Sequence, residues 1–172
     1  METYSDAQLE NLIQQVADLL LRNRQQLATA ESCTGGWLAK CCTDLAGSSV
    51  WFDRGFVSYT NQAKQDLLSV SAATLERYGA VSLETATEMA EGALNHSQAT
   101  ISVAITGIAG PTGGTQGKPV GTVCFAFAIQ DHPTISVQTL FSGDREMIRR
   151  QAVITALQGI IKNARDATHS MG

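Results

Sequence analysis

The chain predicts a three-layer α/β/α fold around a mixed, mostly parallel sheet. Three observations carry this. The first hundred residues alternate strand and helix patterns, as parallel sheets require. Residues 101–105 (Ile-Ser-Val-Ala-Ile) are all apolar or small, the composition of a central strand covered by helices on both faces. Two strand patterns near the C-terminus are then joined by only a short turn, which predicts an antiparallel hairpin.

The elements follow in order. Ser5 with Gln8 forms a capping-box pattern, and Leu9, Leu12, Ile13, Val16, Leu19 and Leu20 recur at helical spacing, so a helix is expected over 6–26. Residues 27–31 make a short strand, ended by the turn Ser32-Cys33-Thr34-Gly35-Gly36, and a helix begins at Trp37. A loop at 46–49 leads to a strand from Val50 to Tyr59, rich in aromatic and β-branched residues, with Gly55 as a candidate bulge. Asn61 is a candidate cap for a short helix over 62–68. A second short helix near 73–78 stops at Gly79, and Ser82 opens a longer one that buries Ala86, Met89, Ala90, Ala93 and Leu94. After the central strand, residues 106–119 concentrate glycine as no helix or strand would tolerate, predicting a long loop. The hairpin strands are 120–129 and 134–141, turning at Asp131-His132-Pro133, and a last helix covers 144–164 before a frayed end. Neither a repeat nor a linker divides the chain, so one domain is expected over 1–172.

Composition narrows the function. A net charge of −4, a pI near 5.3 and no basic run longer than Arg149-Arg150 argue against a nucleic-acid partner. The N-terminus lacks the basic start and apolar core of a signal peptide, and no stretch reaches membrane-spanning length, so no membrane association and a cytoplasmic location are expected. Cys33, Cys41, Cys42 and Cys124 show no metal-ligand spacing and read as reduced, mostly buried thiols. His96, His132 and His169 spell out neither a metal cluster nor a triad.

Four polar residues, Ser32, Tyr59, Thr106 and Ser142, fall at or near predicted strand ends, where ligands collect on α/β sheets. Ser32 precedes a helix whose start is Thr34-Gly35-Gly36, so free N–H groups would surround an oxygen bonded near it. From spacing alone the ordinary reading is an N-cap with glycines tightening the turn, and Cys33 is a rival nucleophile. With no histidine near, a serine nucleophile needs another base, and a neutral lysine can serve. Lys64 lies in the first turn of its helix if Asn61 is the cap, where the dipole and any burial disfavour the ammonium; most lysines, however, are solvated surface charges. Tyr59 is a candidate hydrogen-bond donor to this pair, and Ser49 a candidate relay hydroxyl. Arg145, after Ser142-Gly143-Asp144, sits where a guanidinium and a helix N-terminus can hold a phosphate, or is solvated beside a capping Asp144; Arg149 extends either reading.

Taken together, 30–36 (Ala-Glu-Ser-Cys-Thr-Gly-Gly), Gly47-Ser48-Ser49, Phe56-Val57-Ser58-Tyr59, Asn61 with Lys64, 78–82, Thr106-Gly107-Ile108-Ala109-Gly110-Pro111, Gly113-Gly114, 118–121 and 141–145 resemble the CinA C-terminal domain family, over about residues 5–165 and most closely its stand-alone amidase members. The resemblance implies a homodimeric enzyme of pyridine nucleotide recycling. It would deamidate nicotinamide mononucleotide to nicotinate mononucleotide and ammonia, without metal or other cofactor. It also implies Ser32 as nucleophile, Lys64 as base and Tyr59 as a third catalytic group. Thr34, Gly35, Gly36, Ser49, Thr106, Gly107 and Gly110 would bind substrate, and Arg145 its phosphate. Longer family members carry another N-terminal domain, whose activity does not transfer to this chain. The open alternatives are a Ser-Lys amidase for another small carboxamide, and a non-catalytic nucleotide-binding or competence-linked module.

Overall fold

A computed structural model describes residues 5–169, with side chains to 165. The readings made on residues 1–4, and on fraying at 170–172, lie outside the described residues. The strands are β1 (Leu27–Glu31), β2 (Phe52–Val57), β3 (Ile101–Gly107), β4 (Thr122–Ile129) and β5 (Ile135–Leu140). The helices are α1 (Asp6–Asn23), α2 (Trp37–Asp44), α3 (Asn61–Leu68), α4 (Ala72–Tyr78), α5 (Leu83–Asn95) and α6 (Arg145–His169). The sheet order is β2-β1-β3-β4-β5. β1 runs parallel to both β2 and β3, and β4 pairs antiparallel with β3 and β5. Four of the five strands therefore point one way, the mixed, mostly parallel sheet expected.

The period of two along each strand sorts side chains by size onto the two faces. Leu27, Ile101, Val103, Ile105, Val123, Phe125 and Phe127 pack with α1, α2 and α6. Ala28, Ala30, Ala104, Cys124, Ala126 and Ala128 face α3, α4 and α5. Each fully buried large side chain, such as Leu27 or Phe125, contributes about 1.5–3 kcal/mol. The small face lets the second layer approach closely. Ser102 Oγ donates to the Ala90 carbonyl at 2.6 Å, and a Cβ on Gly92 would fall on the Leu68 carbonyl, so α3 and α5 touch backbone to backbone there.

Several boundaries differ from the sequence reading, each for a local reason. The Ser5–Gln8 capping box forms, but α1 stops at Asn23, where Arg24 turns left-handed at φ 54°. Residues 48–50 close into a 3-10 turn after Gly47, so β2 begins at Phe52 rather than Val50. The extra residue of β2 is Asp53, since the register steps from Leu27↔Phe52 to Ala28↔Arg54; Gly55 is no bulge. Gly55 instead makes room for α2, because a Cβ there would stand 2.9 Å from Thr29 Oγ1 and 3.0 Å from the Ala39 Cβ. Thr60, not Asn61, caps α3 through Ala63 N–H. β3 continues through Gly107, so the glycine-rich loop spans 108–121. At the last helix Asp144 takes the capping role, accepting from Met147 N–H at 2.9 Å, and the helix runs past 164 to His169.

Candidate active site

The C-terminal ends of β1, β2 and β3 lie side by side, and three short segments leave the sheet there. Ser32 continues the ladder of β1 by donating its N–H to the Ile105 carbonyl, and Ser58 continues β2 by donating to the Glu31 carbonyl. By register Ser32 then stands between Ser58 and Thr106, on the face that carries α3.

Lys64 projects from α3 into this gap and is buried to 1% exposure, with Ser32 at 8%. Its Nζ lies 3.0 Å from Ser32 Oγ, 3.0 Å from the Ser58 carbonyl and 3.4 Å from the Tyr59 carbonyl. Lys64 N–H makes the first backbone bond to the Thr60 carbonyl, so the residue opens the second turn of α3 rather than lying in its first. Burial holds the Lys64 amine below its usual pKa, opposed by attraction to Cys33. The same physics acts against the rival thiol. Burial pushes Cys33 up to about 12, against the pull of its own backbone N–H, Arg149 and Lys64, which disfavours the reactive thiolate.

Residues 32–36 form a turn before α2 rather than its first turn. Gly35 and Gly36 hold φ of 59° and 94°, and Val57 Cγ2 would lie 3.3 Å from a Cβ on Gly36, so both positions favour glycine. Gly35 N–H bonds the Ser32 carbonyl and Trp37 N–H the Thr34 carbonyl. The N–H groups of Cys33, Thr34 and Gly36 bond no other described residue. Thr34 is fully buried with an unpartnered hydroxyl, as is Ser58.

The other expected residues divide. Tyr59 is 58% exposed, and its hydroxyl accepts from Arg145 at 3.1 Å; the same guanidinium donates to the Gly110 carbonyl at 2.7 Å. Arg145 thus ties the glycine-rich loop to the segment after β2, across the mouth of the site. Gly107 lies at the end of β3, where a Cβ would press on Val123. Thr106 is beside Ser32 in register, yet its hydroxyl donates to the Ala80 carbonyl at 2.7 Å. Ser49 is not brought to the cluster within one chain. It precedes β2, whose Phe52 pairs with Leu27 at the start of β1, whereas Ser32 follows the other end.

Arg149 and Glu31 shape the turn. Arg149 donates from Nε to the Cys33 carbonyl and from Nη2 to the Thr34 carbonyl, both at 3.0 Å, and its guanidinium lies over Trp37. It clamps the backbone of the turn rather than extending a phosphate site. Glu31 is fully buried and accepts from Leu38 N–H at 2.9 Å and Ala39 N–H at 3.0 Å. In the sequence it was marked by a carboxylate at the end of a short strand and by its place in the 30–36 motif, neither of which gives it a role. Ser58 lay within the Phe56–Tyr59 motif, but its place beside Ser32 depends on strand register.

The groove between α1, α2 and α6, lined by Leu9, Ile13, Trp37 and Arg150, opens on the other face and holds none of the expected site residues. Among the described residues no group of three or more His, Cys, Asp or Glu is placed to hold a metal ion, and no helix is long and apolar enough to cross a membrane.

A family model described as the CinA C-terminal domain matches residues 9–164. The chain is 51% identical over 154 residues to "Nicotinamide-nucleotide amidohydrolase PncC" of Escherichia coli K12, covering 90% of this chain and 93% of that protein. It is 50% identical over 163 residues to the protein of the same name from Enterobacter agglomerans, covering 92% and 99%. Among solved structures, the competence/damage inducible protein CihA from Agrobacterium tumefaciens superposes with a TM-score of 0.89 at 42% identity, over 94% of this chain and 98% of that one.

Proposed function

This chain belongs to the CinA C-terminal domain family, and from that premise we propose that it hydrolyses nicotinamide mononucleotide to nicotinate mononucleotide and ammonia, with Ser32 as nucleophile and Lys64 as base. The relatives named as nicotinamide-nucleotide amidohydrolases over nine-tenths of the chain support the substrate. The observation that carries the chemistry is one buried amine 3.0 Å from the Ser32 hydroxyl, whose charged form burial disfavours. Two of the three oxygens around Nζ are carbonyls, which only accept. A neutral amine has two N–H groups and one lone pair. The ammonium would donate to all three oxygens, whereas the neutral amine, with both N–H groups given to Ser58 and Tyr59, leaves its lone pair for the Ser32 hydroxyl at 3.0 Å. That is the arrangement a base needs before it takes a proton.

In the reaction Lys64 takes the Ser32 proton as Oγ bonds the carboxamide carbon. The resulting oxyanion is met by the unengaged N–H groups of Cys33, Thr34 and Gly36. The Lys64 ammonium then protonates the amide nitrogen, the C–N bond breaks and ammonia leaves. Water repeats the attack on the acyl-serine: one proton goes to Lys64 and on to the departing Oγ, and the second is lost to solvent, or to the released ammonia, as the carboxylate forms. Arg145 and the start of α6 contact the phosphate, and this distant binding energy orients the amide. Nucleophile and base both come from the chain, so the scheme calls on no metal or organic cofactor. The same reading makes the protein one domain over 1–172, homodimeric and cytoplasmic, in pyridine nucleotide recycling.

Ammonia release from nicotinamide mononucleotide by the purified protein tests this. Turnover is expected from wild type and none above background from Ser32→Ala; a Ser32→Ala protein as fast as wild type would remove the nucleophile.

A further inference from the structure

We propose that Glu31 is a positioning residue for the nucleophile, acting through the α2 N-terminus; the proposal rests on Ser32 being that nucleophile. The side chain is fully buried, and its partners are the Leu38 and Ala39 N–H groups and, at 3.4 Å, the Thr29 hydroxyl. These are donors that fix a carboxylate in place. Glutamate is rarely kept fully buried, so the site must repay its desolvation.

The reason a strand residue does this lies in the turn. A helix is ordinarily capped by the side chain of its own N-cap residue. Here the N-cap is Gly36 at φ 94°, with Val57 against it, and it has no side chain to offer. Trp37 N–H reaches the Thr34 carbonyl, but the Leu38 and Ala39 N–H groups would be left without partners. Glu31 supplies the missing acceptor from β1, one residue before Ser32.

Because successive strand residues face opposite sides, Glu31 grips α2 on one face of the sheet while Ser32 meets Lys64 on the other. The segment 32–36 is therefore held at both ends: by Glu31 and Arg149 on the α2 side, and by the Ser32 N–H bond to Ile105 on the sheet side. The positive end of α2 is engaged by the Glu31 carboxylate. That leaves the turn's own N–H groups, rather than the helix dipole, to meet an oxyanion. Loss of the grip lets the turn shift, and misplacement by about 1 Å costs about 100-fold in rate.

The test uses Glu31→Gln, Glu31→Asp and Glu31→Ala with two readouts. In steady state on nicotinamide mononucleotide, Glu31→Ala and Glu31→Asp should lose about 10–100-fold in kcat with KM nearly unchanged. Aspartate is one methylene too short to reach both N–H groups. Glu31→Gln, which keeps length and one acceptor, should recover most of the loss. The pH midpoint of kcat/KM should stay where wild type has it, because geometry and not the charge of Lys64 is altered. The second readout needs no nucleotide: the rate of covalent labelling of Ser32 by a fluorophosphonate, located by mass spectrometry, should fall in the same order. Wild-type labelling absent at Ser32 would overturn the nucleophile reading itself. Normal labelling of wild type with an equal rate in Glu31→Gln, Glu31→Asp and any folded Glu31→Ala would overturn the positioning role alone. A moved pH midpoint, or KM rising as kcat falls, would also overturn it. If Glu31→Ala fails to fold, the Gln and Asp pair decides by itself.

Discussion

Replacing Lys64 by methionine separates its chemical from its structural role. The variant keeps an unbranched stem of nearly the same length in a site of 1% exposure, with sulfur for one methylene, and removes the amine. General-base assistance supplies typically 100- to 10,000-fold, so kcat should fall by that range, about 2.7–5.5 kcal/mol at 1.36 kcal/mol per decade. Stability moves differently. Three oxygens lose a partner, which costs of order 1 kcal/mol each, while a group whose charged form is penalised by burial is gone. The pH dependence isolates the second effect. The unfolded chain holds the Lys64 proton up to about its ordinary pKa of 10.5, whereas the folded chain sheds it at lower pH. Between those two values the unfolded state binds more protons. Wild-type stability therefore gains up to ~1.4 kcal/mol per pH unit in that window from this group, and nothing below the folded pKa. For a chain of this size that is about 3–5 °C in Tm per pH unit. Thermal melts across alkaline pH should show wild type gaining on Lys64→Met as pH rises, and kcat/KM of wild type should climb through a midpoint below 10.5. Parallel melting curves, or turnover by Lys64→Met within tenfold of wild type, would refute the neutral-amine argument.

Arg145→Ala should lower kcat/KM for nicotinamide mononucleotide about 10- to 100-fold, the worth of a charged hydrogen bond, and leave the slow hydrolysis of free nicotinamide unchanged; equal losses on both would place Arg145 outside the phosphate site. Cys33→Ala should retain kcat within about threefold, and iodoacetamide at pH 8 should leave wild-type activity intact, because a thiol raised to about 12 offers almost no thiolate. Gly92→Ala should lower stability by about 1–3 kcal/mol in chemical denaturation, since its methyl group would meet the Leu68 carbonyl and part α5 from α3; an unchanged midpoint would contradict that packing.

The layered architecture was legible because it rests on periodicity. Ile101, Val103 and Ile105 alternate with Ser102 and Ala104, and Phe125 and Phe127 with Ala126 and Ala128, so two covered faces could be read directly. The caps at Ser5 and Ser82 were equally plain, since a side chain bonding three residues ahead is a local event. The start of β2 was not, because a short 3-10 turn and a strand edge draw on similar residues, and only the pairing of Phe52 with Leu27 separates them. The cap of α3 was placed one residue late, Thr60 and Asn61 both being good N-cap types.

By itself the sequence determined which side chains are available to react, the order of the elements, and a polar residue at the tip of each parallel strand. Only the tertiary structure decided who meets whom. Ser32 and Lys64 are 32 residues apart and touch because β2 lies beside β1 and α3 folds back over the small face of the sheet. Ser49, one element before Lys64 in the chain, goes to the far end of those same strands. Local forces set turns and helices from neighbours along the chain, whereas burial of an amine, and the lowered pKa that follows, belongs to the packed molecule as a whole.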